Sequence, residues 1–116
     1  MLSTTDTTPE LDASQRAADL LQQGWRLLVQ KDYSPAEASF RQALFLDNDM
    51  YEANFALGLA LKAQCRPDEA VAQFQRVLFL LQTASKTQNN ARISMLRRMT
   101  TAHINFLTYG DWSAKE

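Results

Sequence analysis

Residues 51–80 read YEANFALGLALKAQCRPDEAVAQFQRVLFL, two runs of helix formers joined by a short turn around Cys65. The pattern recurs. Shifting the chain by 34 residues lays Gly24 on Gly58, Leu27 on Leu61, Ala36 on Ala70, Phe40 on Phe74, Leu44 on Leu78, Phe45 on Phe79 and Leu46 on Leu80. A glycine inside a helix costs about 1 kcal/mol relative to alanine. Gly24 and Gly58 therefore need a compensating reason, and close approach of a second helix supplies one. Ala36 and Ala70 are equally small and open the second helix of each pair. Phe40 and Phe74, four residues later on the same face, would fill the space beside them.

A recurrence of this period resembles the tetratricopeptide repeat. In the second copy Leu57, Gly58, Leu61, Ala70, Phe74 and Leu78 fill the family's small and large slots in order, and Asp68-Glu69 stands for its helix-starting acidic pair. The first copy keeps Gly24, Leu27, Tyr33, Ala36, Phe40, Ala43 and Leu44, with Leu20 where the family often has Trp and Trp25 just after the glycine. Neither copy ends with the family's frequent proline; Asn48 and Gln82 stand there. The resemblance covers 17–84. It implies an all-α short solenoid of two antiparallel helix-turn-helix repeats, 17–50 and 51–84, followed by a capping helix at 85–110. These form one domain, 9–116, behind a disordered tail at 1–8.

Composition agrees with one helical domain. The chain has 116 residues, 46% hydrophobic and 22% charged, and only three glycines and three prolines, too few for a fold rich in turns. Net charge is −1 but unevenly placed: residues 1–52 hold 9 acidic and 4 basic side chains, residues 53–116 hold 4 and 8. Lys86, Arg92, Arg97 and Arg98 form a possible basic docking patch for an acidic partner. They lack the concentrated excess and interleaved aromatics of a nucleic-acid surface, so nucleic acid is not the expected partner. Cys65 is the single cysteine, which excludes an intrachain disulfide and suits a reducing compartment. The N-terminal residues have no basic start and no apolar run, and no stretch reaches membrane-spanning length. The expected setting is cytoplasmic, without membrane insertion.

The helix signals run in order. Thr8-Pro9 or Asp12-Ala13-Ser14-Gln15 starts the first helix, which reaches about Lys31. Ser34-Pro35-Ala36-Glu37 predicts the start of the second, ending near Leu46, and Asp49-Met50-Tyr51-Glu52 that of the third, ending near Gln64. Pro67-Asp68-Glu69 opens the fourth. Ser85 and Gln88 would cap a fifth, with Ala91, Met95, Leu96, Met99, Ala102, Phe106 and Tyr109 at helical spacing and Gly110 as its stop. A repeat array leaves its last pair with an open apolar flank, and this helix reads as its cap.

Catalytic constellations are absent from the pattern. No Gly-rich phosphate loop, nucleophile elbow or zinc spacing occurs. His103, the lone histidine, reads as a buried or half-buried ring satisfied by hydrogen bonding. Asp47, Asp49 and Glu52 read as capping residues rather than ligands of a divalent cation. The expectation is a non-enzyme without cofactor or metal.

Two surfaces are candidates for binding. The resemblance implies that the first helix of each pair lines a concave groove, here Leu21, Trp25, Leu28 and Val29, then Phe55, Leu59 and Lys62. This set is unusually apolar. Either it receives an apolar peptide or helix from a protein partner, or the chain's own residues 9–16 or last helix cover it. The family's carboxylate clamp for chaperone tails is missing, since Leu21, Trp25 and Ala56 stand at those positions. The second surface is convex: Phe45 and Phe79 recur on the side away from Phe40 and Phe74, with Ala38 and Ala72 two turns earlier. This ridge suits self-association or permanent assembly, so a structural subunit of a larger complex is the alternative to an adaptor, assembly factor or chaperone-like module.

Overall fold

The computed structural model describes residues 9–84 and 91–110, with side chains from residue 12 onward. They form five α-helices and no strand: α1 (Pro9–Val29), α2 (Tyr33–Leu46), α3 (Tyr51–Ala63), α4 (Pro67–Ala84) and α5 (Ala91–Tyr109). Each helix packs on the next in sequence, and α1 also touches α3. The expectations for 1–8, for the Ser85 and Gln88 cap, and for Lys86 lie outside the described residues.

The two glycines sit where the second helix crosses the first. A Cβ built on Gly24 would stand 2.4 Å from the Phe40 ring, and one on Gly58 would stand 2.5 Å from the Phe74 ring. Both rings are fully buried. The hairpins therefore interlock through a phenylalanine laid across a bare helix backbone, which accounts for glycine in two otherwise strong helices. The core continues through Ala36, Ala56, Ala60, Leu61, Ala70, Val77, Leu81 and Ile93.

The turns repeat in the same register. Lys31 and Cys65 both adopt left-handed backbone conformations, φ 67° and 60°. Around them Lys31 N–H donates to Leu28 O and Asp32 N–H to Leu27 O, while Cys65 N–H donates to Lys62 O and Arg66 N–H to Leu61 O. Each is a Schellman ending, with a side chain where glycine is usual.

The expected helix starts need correction. α2 begins at Tyr33, with Asp32 in the capping position and no side-chain cap bond, so Ser34 is inside the helix. α3 likewise follows Met50 without a side-chain cap, and Asp49 lies outside. Before α2 the Schellman turn at Lys31 already delivers the chain into the helix, and Pro35 is tolerated in the first turn because its missing N–H would have no intrahelical partner there. α1 starts at Pro9, the earlier of the two expected starts. The other ends agree: α4 opens at Pro67, and Gly110 leaves α5 with φ 75°.

A charged cluster ties the hairpins together. The nearly buried Glu37 carboxylate of α2 accepts from Arg41 Nε at 2.9 Å, from Gln64 Nε2 at 2.9 Å and from Arg66 Nη1 at 2.7 Å, the last two at the α3–α4 turn. Arg66 also donates twice to Glu69. Burial raises the Glu37 pKa, but these hydrogen bonds outweigh it and leave the group below its ordinary value. Among the described residues every buried side-chain polar atom has a partner.

Candidate functional site

Packing α5 on α4 places it beside α3 as well, and a cleft opens between α1, α3 and α5. Trp25, Glu52, Phe55, Arg92, Met95, Leu96 and Met99 line it, around about 300 Å³. Trp25 stands edge-on to Phe40 at 5.9 Å between ring centroids, so its ring is fixed by the first hairpin's lock. Met95 and Met99 are 61% and 44% exposed on the opposite wall. Arg92 pairs with Glu52 at the N-terminal end of α3, placing a charged donor and acceptor beside otherwise apolar walls.

Of the groove residues expected from the sequence, Leu21, Trp25, Leu28 and Leu59 are half-buried against the core, and Val29 points out at 79% exposure. Phe55 is only 6% exposed, packed on Phe74 at 5.6 Å and edge-on to His103 at 5.8 Å. It is floor rather than a free anchor. Lys62 is drawn to α5, with Nζ 3.2 Å from His103 Nδ1 and 5.2 Å from the centre of the Phe106 ring. The last helix thus covers the α3 half of the groove, one of the two possibilities left open. Sequence reasoning missed Met95, Leu96 and Met99 as the far wall, having assigned them to the packing side of the helix. Only the rotation of α5 on α4, set by buried Ile93 and Thr100, turns the two methionines outward.

His103 is the hub of that covering. Its ring stacks on Phe74 at 5.2 Å and 17°. Burial and, second, the Lys62 charge pull its pKa down to about 4. The imidazole is therefore neutral at pH 7, and Nδ1 accepts from the Lys62 ammonium, whose own pKa burial lowers.

Of the residues expected on the convex surface, Phe45 is 89% and Phe79 59% exposed, and Ala38 and Ala72 are also exposed. The Arg76 guanidinium lies 5.5 Å from the centre of the Phe79 ring. Of the basic patch, Arg92 is engaged by Glu52, Arg98 is exposed and Arg97 is half-buried. The three clustered acids are separately occupied: Asp47 accepts from the Asp49 N–H, Asp49 pairs with Arg76 and Glu52 with Arg92. Among the described residues no group of three His, Cys, Asp or Glu is placed to hold a metal, and no helix is long and apolar enough to cross a membrane.

Comparison with protein-family models, with curated proteins and with solved structures finds no match. The functional reading therefore rests on the chain's own residues.

Proposed function

We propose that this chain is a non-catalytic protein-interaction module of tetratricopeptide type, two repeats followed by a single further helix, which binds an apolar segment of a protein partner in the cleft between α1, α3 and α5. The repeat reading is supported by the 34-residue equivalence of the Gly24–Phe40 and Gly58–Phe74 locks and of the left-handed residues Lys31 and Cys65. The binding reading rests chiefly on one observation: a rigidly held Trp25 faces two exposed methionines across an open, mainly apolar cleft. Methionine side chains are unbranched and polarizable, and adapt to varied apolar guests. A tryptophan at the centre of a groove is the residue type that most often anchors binding. The Glu52–Arg92 pair keeps further acceptor and donor capacity for the peptide groups of an incoming segment.

A library of displayed random peptides panned on the purified protein tests this. The expected winners carry bulky apolar side chains and lose binding when Trp25→Ala is introduced into a chain whose helical circular dichroism is unchanged. Winners that bind the variant equally well would overturn the cleft as the site. The exposed Phe45 and Phe79 support a second reading, a subunit held permanently in a complex through its convex ridge. Sedimentation with and without Phe45→Ser separates that case, since a permanent assembly would dissociate in the variant.

A further inference from the structure

The face of α5 turned away from α4 is largely apolar, although no described helix covers it. Its inner side is fixed by buried Ile93 and Thr100, with Leu96, Ile104 and Leu107 against the core. On the outer side Ala91, Ser94, Met95, Arg98, Met99 and Ala102 follow one another at alternating steps of three and one residues, so that every second one lies four apart. They line an open concavity of about 510 Å³. This is helix-packing spacing. α3 is packed between α2 and α4, whereas α5 has α4 on one side and no described helix on the other.

Charge indicates what lies there. α5 holds Arg92, Arg97 and Arg98 and no acidic residue. Arg92 is paired with Glu52, but no ion pair engages Arg97 or Arg98 among the described residues. A two-fold contact between copies of α5 would bring cation against cation at mid-helix with no carboxylate to balance it, which disfavours self-pairing. Arg98, the one arginine lining this concavity, set among methionines and alanines, is also too little positive charge for a phosphate backbone. An acidic amphipathic helix satisfies both features.

We propose that the outer face of α5 docks an amphipathic helix of a protein partner, aliphatic along its contact stripe and bearing carboxylates beside it, laid where a sixth helix would stand. Met95 and Met99 border both this face and the cleft. Arg98 belongs only to this face and Trp25 only to the cleft, so the two sites are separable.

The test uses two fluorescein-labelled helical peptides of about 18 residues, about five turns. Both carry the same alanine and leucine stripe, flanked by Glu in one and by Lys in the other. Anisotropy titrations of the full chain should show the acidic peptide binding, and binding more weakly at high salt. Arg98→Glu should weaken it about tenfold, a change of about 1.4 kcal/mol, and should improve binding of the Lys peptide, while Trp25→Ala leaves the acidic peptide within about twofold. The proposal fails if neither peptide binds, if both bind alike, or if Arg98→Glu leaves the acidic peptide unaffected. An Arg98-dependent dimer in sedimentation would assign the face to a second copy instead. Arg98-dependent binding of single-stranded RNA without binding of the acidic peptide would assign it to nucleic acid; either result overturns the partner helix.

Discussion

The buried ring of Phe74 lies across Gly58 so closely that even a methyl group on the glycine would stand 2.5 Å from ring carbon Cε1. Phe40 bears the same relation to Gly24, 34 positions earlier. The helix-propensity cost of each glycine is thus exchanged for a crossing in which one aromatic ring fills the groove of the facing helix. Alanine, the best helix former, is excluded from these two positions by packing alone.

Gly58→Ala is expected to destabilise the chain despite a propensity gain of about 1 kcal/mol, because overpacking a ring held on all sides costs about 1–3 kcal/mol. Combining it with Phe74→Leu should lose less than the two single changes added together, since the smaller side chain makes room for the methyl. Urea melts of the four proteins measure this directly. A Gly58→Ala variant more stable than its parent would show that the ring can step aside.

Lys31 and Cys65 hold left-handed conformations that disfavour any side chain by roughly 1–2 kcal/mol. Part of that strain is recovered when glycine replaces them, after its greater unfolded-state freedom is set against the gain. Lys31→Gly and Cys65→Gly should each raise stability by about 0.5–1 kcal/mol. The two should add, because they belong to separate turns. A fall in melting temperature for either would mean that its side chain makes a contact outweighing the backbone strain.

Acid should loosen α5 before the rest. His103 titrates near pH 4 when folded against 6.5 as a free side chain, so the unfolded chain binds the extra proton first. The stabilisation from keeping this ring neutral is fully present above pH 6.5 and is lost as pH falls from there to about 4. Glu37, also lowered from its ordinary value of 4.5, acts in the same direction but in a more acid range: its contribution is present above 4.5 and lost as pH falls through its folded value. Melting temperatures of the parent and of His103→Gln should therefore converge between pH 6.5 and 4. Parallel curves would show that the imidazole is not held neutral against Phe74 and Lys62.

Trp25, Phe55 and Phe74 form a graded series from cleft wall to core. Phe74→Ala should cost about 3–5 kcal/mol and Phe55→Ala nearly as much, since both rings are buried. Trp25→Ala should cost about 1–2 kcal/mol, because its half-buried ring loses only part of its contacts. Chemical denaturation ranks the three, and a Trp25→Ala loss equal to that of Phe74→Ala would move Trp25 from the cleft wall into the core.

The sequence by itself determined the helices and the locks. Gly24, Gly58, Phe40 and Phe74 announce a tight crossing because glycine in a helix is unfavourable without one, and this local conflict is legible residue by residue. The same holds for α4, opened by Pro67 with two acids behind it, and for the stop at Gly110. Ser34 and Asp49 were misleading as caps because capping pattern and turn geometry compete for the same backbone groups, and the Schellman turn at Lys31 wins at the first of them. What only the tertiary structure decided is the site. Whether Phe55 and Lys62 face solvent depends on where α5 comes to rest, and that depends on His103 finding Phe74, a contact between residues 29 positions apart. Helical periodicity places side chains around their own axis. It carries no information on how one helix is rotated against another, which is set by the sum of many small packing terms across the whole core.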